Sequence, residues 1–293
     1  MKVVEKHPMI MIIVGVLGIS LSSIFVKFSQ APAAVTAAWR LLWTVILMTP
    51  VVLGKREVRR EMSRVNRKTV ILSLLSGLFL AIHFAVWFES LHHTTVASST
   101  TIVCTEVIWV SLGYWLFLRG RLTGRAIGAI AVTLSGSVLI AWADSGSGGT
   151  HLYGDVLALI AAVAVAVYTL LGRVIRENTS TTVYTYLCYS ACAAVLLLMC
   201  LVQGNGLFSF GFSAIAVGLT LAVFSTILGH SIFTWCLKYF SPSFVSASKL
   251  CEPVASAIMA GFLFGEIPTV LQLAGGALIL GGVVYYSRIE SAK

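Results

Sequence analysis

The sequence predicts an all-α membrane protein with ten transmembrane helices, arranged as two inverted five-helix repeats. Three observations predict it. Hydrophobic residues make up 58% of the 293-residue chain and charged residues only 11%, roughly half the charge of a soluble globular domain. A shift of 146 residues lays the stretch 91–136 on the stretch 237–282 without a gap, so the two are diverged copies. Positive charge is also strongly asymmetric along the chain.

Apolar runs fall near 9–27, 33–53, 70–91, 96–118, 124–142, 153–172, 181–202, 212–235, 243–264 and 269–287. Each is long enough for a helix to cross a hydrocarbon core of ~30 Å. The runs are continuous rather than alternating, which argues against barrel strands. The first ends at Lys27 and leads straight into the second, so it reads as a retained helix rather than a cleaved signal. Five spans per half is an odd number, so the second copy enters the membrane from the opposite side. The expected units are a first repeat over 1–143, a linker loop over 144–152 and a second repeat over 153–293. The linker holds Asp144-Ser145-Gly146-Ser147-Gly148-Gly149, a flexible composition.

With the N-terminus in the cytoplasm, 17 of the 20 Lys and Arg residues fall on cytoplasmic ends or loops. The opposite loops near 92–95, 143–152, 203–211 and 265–268 hold none. That asymmetry places both termini inside the cell, at an inner (plasma) membrane. The net charge of +9 therefore belongs to topology, and no nucleic-acid partner is expected; the basic stretch Lys55–Lys68 reads as a cytoplasmic loop. Neither a G-x-x-x-x-G-K-[ST] sequence nor a dinucleotide fingerprint is present. The six cysteines lie within spans, show no metal-ligand grouping and imply no disulfide framework. No metal and no cofactor are expected. Small residues at Gly124-x-x-x-Gly128, Gly261-x-x-x-Gly265 and Ala277-x-x-x-Gly281 have helix-packing spacing. They predict close packing inside a monomer, with a weak dimer seam as the alternative.

Certain residues also resemble a known family. Cys251-Glu252-Pro253-Val254, followed by Gly261-Phe262-Leu263-Phe264-Gly265-Glu266, resembles the E-P…G-E pattern of EamA-type carriers in the drug/metabolite transporter superfamily. Ala37-Ala38-Trp39-Arg40-Leu41-Leu42 resembles their second-helix arginine motif. The resemblance implies a secondary carrier, often an exporter of amino acids or related metabolites, working by alternating access. It is moderately specific for fold and poorly specific for substrate. One departure is Val107, where a proline would mirror Pro253; this predicts that the two halves bend unequally at the midplane.

The residues that could carry chemistry are ionisable groups at mid-membrane, which are costly there and mark function by default. Glu106 and Glu252 occupy matched positions in the two copies. Glu106 has Ile102, Val103, Trp109 and Val110 at helical spacing, so no cation neighbours it on its own helix. It would carry a proton or meet a cationic substrate group, unless a partner elsewhere in the fold neutralises it. Lys249 lies one turn before Glu252; the two either neutralise each other or form a polar substrate site. Pro253 removes an amide, frees the Lys249 carbonyl and predicts a kink. His83 and His230 lie within one position of repeat equivalence and could relay protons, although a hydrogen-bonded core histidine is the commoner case. Arg40 could gate the outer side by pairing with Glu89, clamp a carboxylate, or be structural. Glu89-x-x-His92-His93 reads as a wetted helix end rather than a metal site. Trp87 and Trp109, with Trp39, Trp43, Phe84 and Trp235, could line a cavity, while Trp115 and Trp142 suit interfacial anchoring.

The expected function is secondary export of a small-molecule solute across the bilayer. Amino-acid-like solutes come first, because Lys249 beside two carboxylates could satisfy both ends of a zwitterion. Proton-coupled export of hydrophobic or cationic drugs is the alternative. A membrane-embedded lipid-modifying enzyme is more distant, since it needs a polar catalytic cluster at one interface and none is evident. No enzymatic activity is expected.

Overall fold

The structure, a computed structural model, describes residues 8–26, 28–94, 96–144, 152–252, 254–255, 258–259 and 269–291. Among them no strand occurs. In chain order the helices are α1 (Pro8–Ser20), α2 (Ser22–Val26), α3 (Ala33–Gly54), α4 (Arg56–Met62) and α5 (Arg67–His93). They continue with α6 (Val96–Cys104), α7 (Glu106–Leu118), α8 (Gly124–Asp144), α9 (Leu152–Ile175) and α10 (Thr181–Val202). Helix α11 (Gly211–Thr220) runs through a π-helical segment, Leu221–His230, into α12 (Ser231–Cys236); α13 (Pro242–Lys249) and α14 (Val270–Ser291) follow.

Eight helical runs are long and apolar enough to cross a membrane, and Gly124–Ile140 is a shorter apolar helix. The chain is a multi-pass membrane protein. The expected span near 243–264 is represented by α13 and a few residues after it. Pro253, Gly261, Gly265 and 145–151 of the linker lie outside the described residues.

Helix starts follow from local chemistry. The Asn66 side chain accepts the Thr69 amide at 2.8 Å, and Ser180 and Ser241 accept the amides of Val183 and Phe244 at 3.3 Å each. Pro242 at the first helical position of α13 loses no intrahelical bond. Carboxylates from elsewhere in the chain reinforce two of these starts: Glu61 accepts the Ser180 amide and Glu290 the Ser241 amide, both at 2.6 Å. An anion is favourable there because the first amides of a helix carry partial positive charge.

Packing pairs each half with the other. Helix α3 packs on α10, α7 on α13 and α8 on α14, while α5 packs on α9 and α1 on the π-helical segment. Two hydrophobic cores result, and both draw on the two halves. One is built from α3, α5, α9, α10 and α11, the other from α1, α7, α8, α12, α13 and α14.

The α8–α14 crossing depends on glycine. A Cβ on Gly136 would sit 2.6 Å from the Gly275 carbonyl oxygen, and one on Gly275 would sit 2.7 Å from that of Gly136. The small residues singled out by spacing behave otherwise. Among the described residues a Cβ on Gly124, Gly128 or Gly281 would meet nothing within 4 Å, so these three take no part in the helix crossings described. The spacing rule finds small residues but not the face that turns inward.

Gly136→Leu should therefore force the α8–α14 backbones apart and destabilise the fold by about 1–3 kcal/mol, the usual cost of overpacking. Thermal unfolding in detergent checks this, with Gly281→Leu as the control expected to stay near wild type.

Candidate functional site

Glu106 opens α7, directly after an interruption at Thr105. There the chain makes short bonds, Thr105 N to Ile102 O at 3.0 Å and Ile108 N to Thr105 O at 2.9 Å. The Thr105 hydroxyl also donates to the Ile102 carbonyl at 2.6 Å, offering the backbone an alternative to the helical ladder. The second copy is interrupted at the matching place. Helix α13 ends at Lys249, residues 250–251 form a turn, and Glu252 follows at once. Both copies are thus interrupted just before their glutamate; the expected unequal bending turns on Pro253, which lies outside the described residues. A threonine hydroxyl accompanies the break in the first copy, where proline is absent. Each glutamate stands where a helical segment begins, and that polarity favours a negative charge.

Lys249 does not turn to Glu252. Its Nζ donates to Glu106 Oε1 at 2.8 Å, joining the second half to the first. Both partners are buried, with side-chain exposures of 10% for Lys249 and 5% for Glu106, so water cannot take the place of either. Lys249 also lies over the Phe233 ring, 5.6 Å from its centroid. The cation that neutralises Glu106 was invisible to helical spacing because it sits on another helix. Glu252 is partly buried and lies within electrostatic reach of Lys249, Glu106 and Arg40. Among the described residues it makes no ion pair within 4 Å.

Arg40 is fully buried in α3. Its Nε donates to Thr226 Oγ1 at 2.8 Å and its Nη1 to Ser22 Oγ at 3.2 Å. Its guanidinium carbon lies 4.1 Å from the Phe84 ring centroid. Arg40 makes no pair with Glu89; the exposed Glu89 instead pairs with His93 at 3.1 Å. The structure thus does not form the expected Arg40–Glu89 gate, because Arg40 points into the bundle while Glu89 lies near the end of α5. The π-helical segment supplies Thr226 and ends at His230. Its wider winding is closed by the Ser231 amide bonding to the Thr226 carbonyl.

The two histidines meet. His83 and His230 have ring centroids 6.3 Å apart, His83 stacks on Trp87 at 5.8 Å, and His230 also contacts Phe84 and Tyr168. His83 Nδ1 bonds the Ala161 carbonyl at 3.0 Å. Trp109 does not join them. It is 36% exposed and continuous with exposed Ile108, Leu112 and Leu116, an apolar face suited to lipid. Trp39 and Trp43 donate their indole N–H groups to the Leu207 and Ile215 carbonyls at 3.0 and 3.1 Å, which ties α3 to the α11 region. Trp115 and Trp142 are exposed, as interfacial anchors would be. Sequence reasoning did not single out Thr226, Ser22 or Tyr168. A π-helical turn and hydroxyls that serve a distant arginine leave no signature in local spacing.

The described residues thus form a helical membrane bundle with a buried ion pair joining its two halves. The model of the EamA-like transporter family matches residues 7–142 and again residues 152–288, and the chain belongs to that family. A Salmonella typhimurium protein named "probable amino-acid metabolite efflux pump" is 28% identical over 233 residues, covering 75% of this chain and 78% of that one. A Streptantibioticus cattleyicolor "probable terminal-alkyne amino-acid exporter" is 25% identical over 201 residues, covering 67% and 65%. The pseudopaline exporter of Pseudomonas aeruginosa is 23% identical over 228 residues, covering 77% and 78%. A solved crystal structure superposes with a TM-score of 0.79 over 98% of both chains at 18% identity, which speaks to fold alone.

Removing one partner of a buried ion pair strands the other, at a cost of about 3–5 kcal/mol. Glu106→Gln and Lys249→Met should each lower the unfolding temperature, and the double variant should recover much of the loss. A double-mutant cycle by thermal unfolding in detergent measures the coupling, and additive losses would contradict the pair.

Proposed function

We propose that the chain is a ten-helix secondary exporter of amino acids or related small metabolites, working by alternating access between two inverted five-helix repeats. The repeats are 1–143 and 153–293, joined by the linker 144–152. The packing supports a two-fold relation. Exchanging the halves at the 146-residue shift turns the α5–α9 contact into the contact between the π-helical span and α1. The α3–α10 and α8–α14 contacts each join a helix to its own counterpart. The excess of Lys and Arg on one side supports cytoplasmic termini in an inner membrane.

The observation that carries the proposal is the buried Lys249–Glu106 pair, together with a Glu252 that has no such partner among the described residues. Charges taken out of water are costly, and an opposite charge in close hydrogen-bonded geometry offsets that cost. A zwitterion brings one charge of each sign, so it can enter such a site without leaving net charge behind. Glu252 is the group for a substrate ammonium or a coupling proton, and Glu106 with Lys249 links the two halves. His83 and His230 lie close enough to share in proton movement. The names carried by the relatives favour an amino-acid or amino-acid-derived solute. The protein acts on the solute by moving it, without enzymatic conversion and without a cofactor.

The same observation supports a second reading. With Glu106 neutralised by Lys249, a Glu252 without an ion pair among the described residues suits a hydrophobic or cationic drug exchanged against protons.

A panel of labelled amino acids and hydrophobic cations, tested with purified protein in liposomes with and without a pH gradient, separates these readings. Amino-acid counterflow in wild type, reduced at least tenfold in Glu252→Gln, is the expected result. Transport of cations alone would favour the second reading, and transport of neither would overturn both.

A further inference from the structure

Resting on the amino-acid reading above, we propose that Arg40 anchors the carboxylate of the transported solute, assisted by His230 and Trp87, with Glu252 facing the solute's ammonium. Three buried nitrogens on these residues have no hydrogen-bond partner among the described residues: Arg40 Nη2, His230 Nδ1 and Trp87 Nε1. Unpartnered buried donors are rare because desolvation leaves each of them costly. Here they belong to one chain of contacts. Arg40 lies over the Phe84 ring at 4.1 Å, and His230 meets the same ring edge-on at 5.3 Å. His83 touches His230 and stacks on Trp87.

Arg40 and Lys249, two of the buried cations, are not equivalent. Lys249 already has its carboxylate, whereas Arg40 is held only by the hydroxyls of Thr226 and Ser22 and keeps one arm of its fork unused. Hydroxyls orient the guanidinium without neutralising it. Glu252 too makes no ion pair among the described residues. A planar guanidinium with a free arm, a ring nitrogen and an indole N–H suit carboxylate oxygens, which accept several charge-assisted bonds. A carboxylate would select the His230 tautomer that carries its proton on Nδ1. Phe84, against both Arg40 and His230, keeps water from competing.

Four isosteric probes test the anchor on the purified full chain in nanodiscs: L-leucine, L-leucinamide, 4-methylpentanoate and 4-methylpentanamide, titrated calorimetrically. The proposal expects wild type to hold each acid at least tenfold more tightly than its amide. Arg40→Gln should bring that ratio close to one, and Trp87→Phe should lower it several-fold. Arg40→Gln protein that elutes monodisperse and keeps the wild-type ratio overturns the proposal. So does wild type that binds acids and amides alike, or that binds none of the four. If Arg40→Gln does not fold, an unchanged ratio in Trp87→Phe overturns it instead. Leucine transport with no acid preference would leave the exporter standing and remove the anchor. Arg40-dependent binding of 4-methylpentanoate without leucine binding would keep the anchor and remove the amino-acid reading.

Discussion

The contact on which the interior depends is the salt bridge between Lys249 and Glu106. It forms between residues 143 apart in sequence, so it exists only once the two halves have docked. Each ion is costly to bury, and their attraction offsets that cost only in close hydrogen-bonded geometry. The 2.8 Å contact meets that condition. It also fixes which surfaces of α7 and α13 face each other, and so sets where Glu252 and the Arg40 cluster lie. The pair is thus both a staple between halves and one wall of the polar interior.

Around it the interior is graded. Arg40 is held by hydroxyls from α2 and the π-helical segment, Lys249 by a carboxylate, and the two histidines by aromatic rings and one carbonyl. A carrier must bind and release, so some of its buried polar groups stay incompletely satisfied until a solute arrives. Interruptions at Thr105 and at 250–251 place the glutamates at helix starts, where backbone polarity favours their charge. At the helix ends, Glu61 and Glu290 hold the starts of α10 and α13. Those contacts are exposed to competition from water in a way the central ones are not.

Much of the architecture was legible in the sequence because it is written in periodic quantities. Hydropathy runs mark the spans, and the 146-residue shift marks the duplication. The family match over 7–142 and 152–288 falls on both halves. What was not legible depends on which face of a helix turns inward. Glu106 looked unpaired because its cation is on α13. Trp109 looked like a cavity residue yet lies on the exposed side of α7, three residues from a glutamate that points in. Gly124 and Gly281 have packing spacing and meet nothing within 4 Å among the described residues, while Gly136 and Gly275 bring the α8 and α14 backbones together. Arg40 seemed to want a carboxylate at the outer end and found hydroxyls in the core. The first copy breaks before Glu106 without the proline that the second copy carries, since a threonine hydroxyl is enough to loosen the ladder.

The account claims above all that the mid-span acid side chains border a compartment that opens to each side of the membrane in turn. Its most direct test is the accessibility of position 252. Glu252→Cys would be placed in a chain whose six native cysteines are changed to alanine, and treated in oriented liposomes with a membrane-impermeant thiol reagent from one side or the other. The account predicts labelling from both sides. A cysteine at 252 that neither side can label, with or without solute, would contradict it.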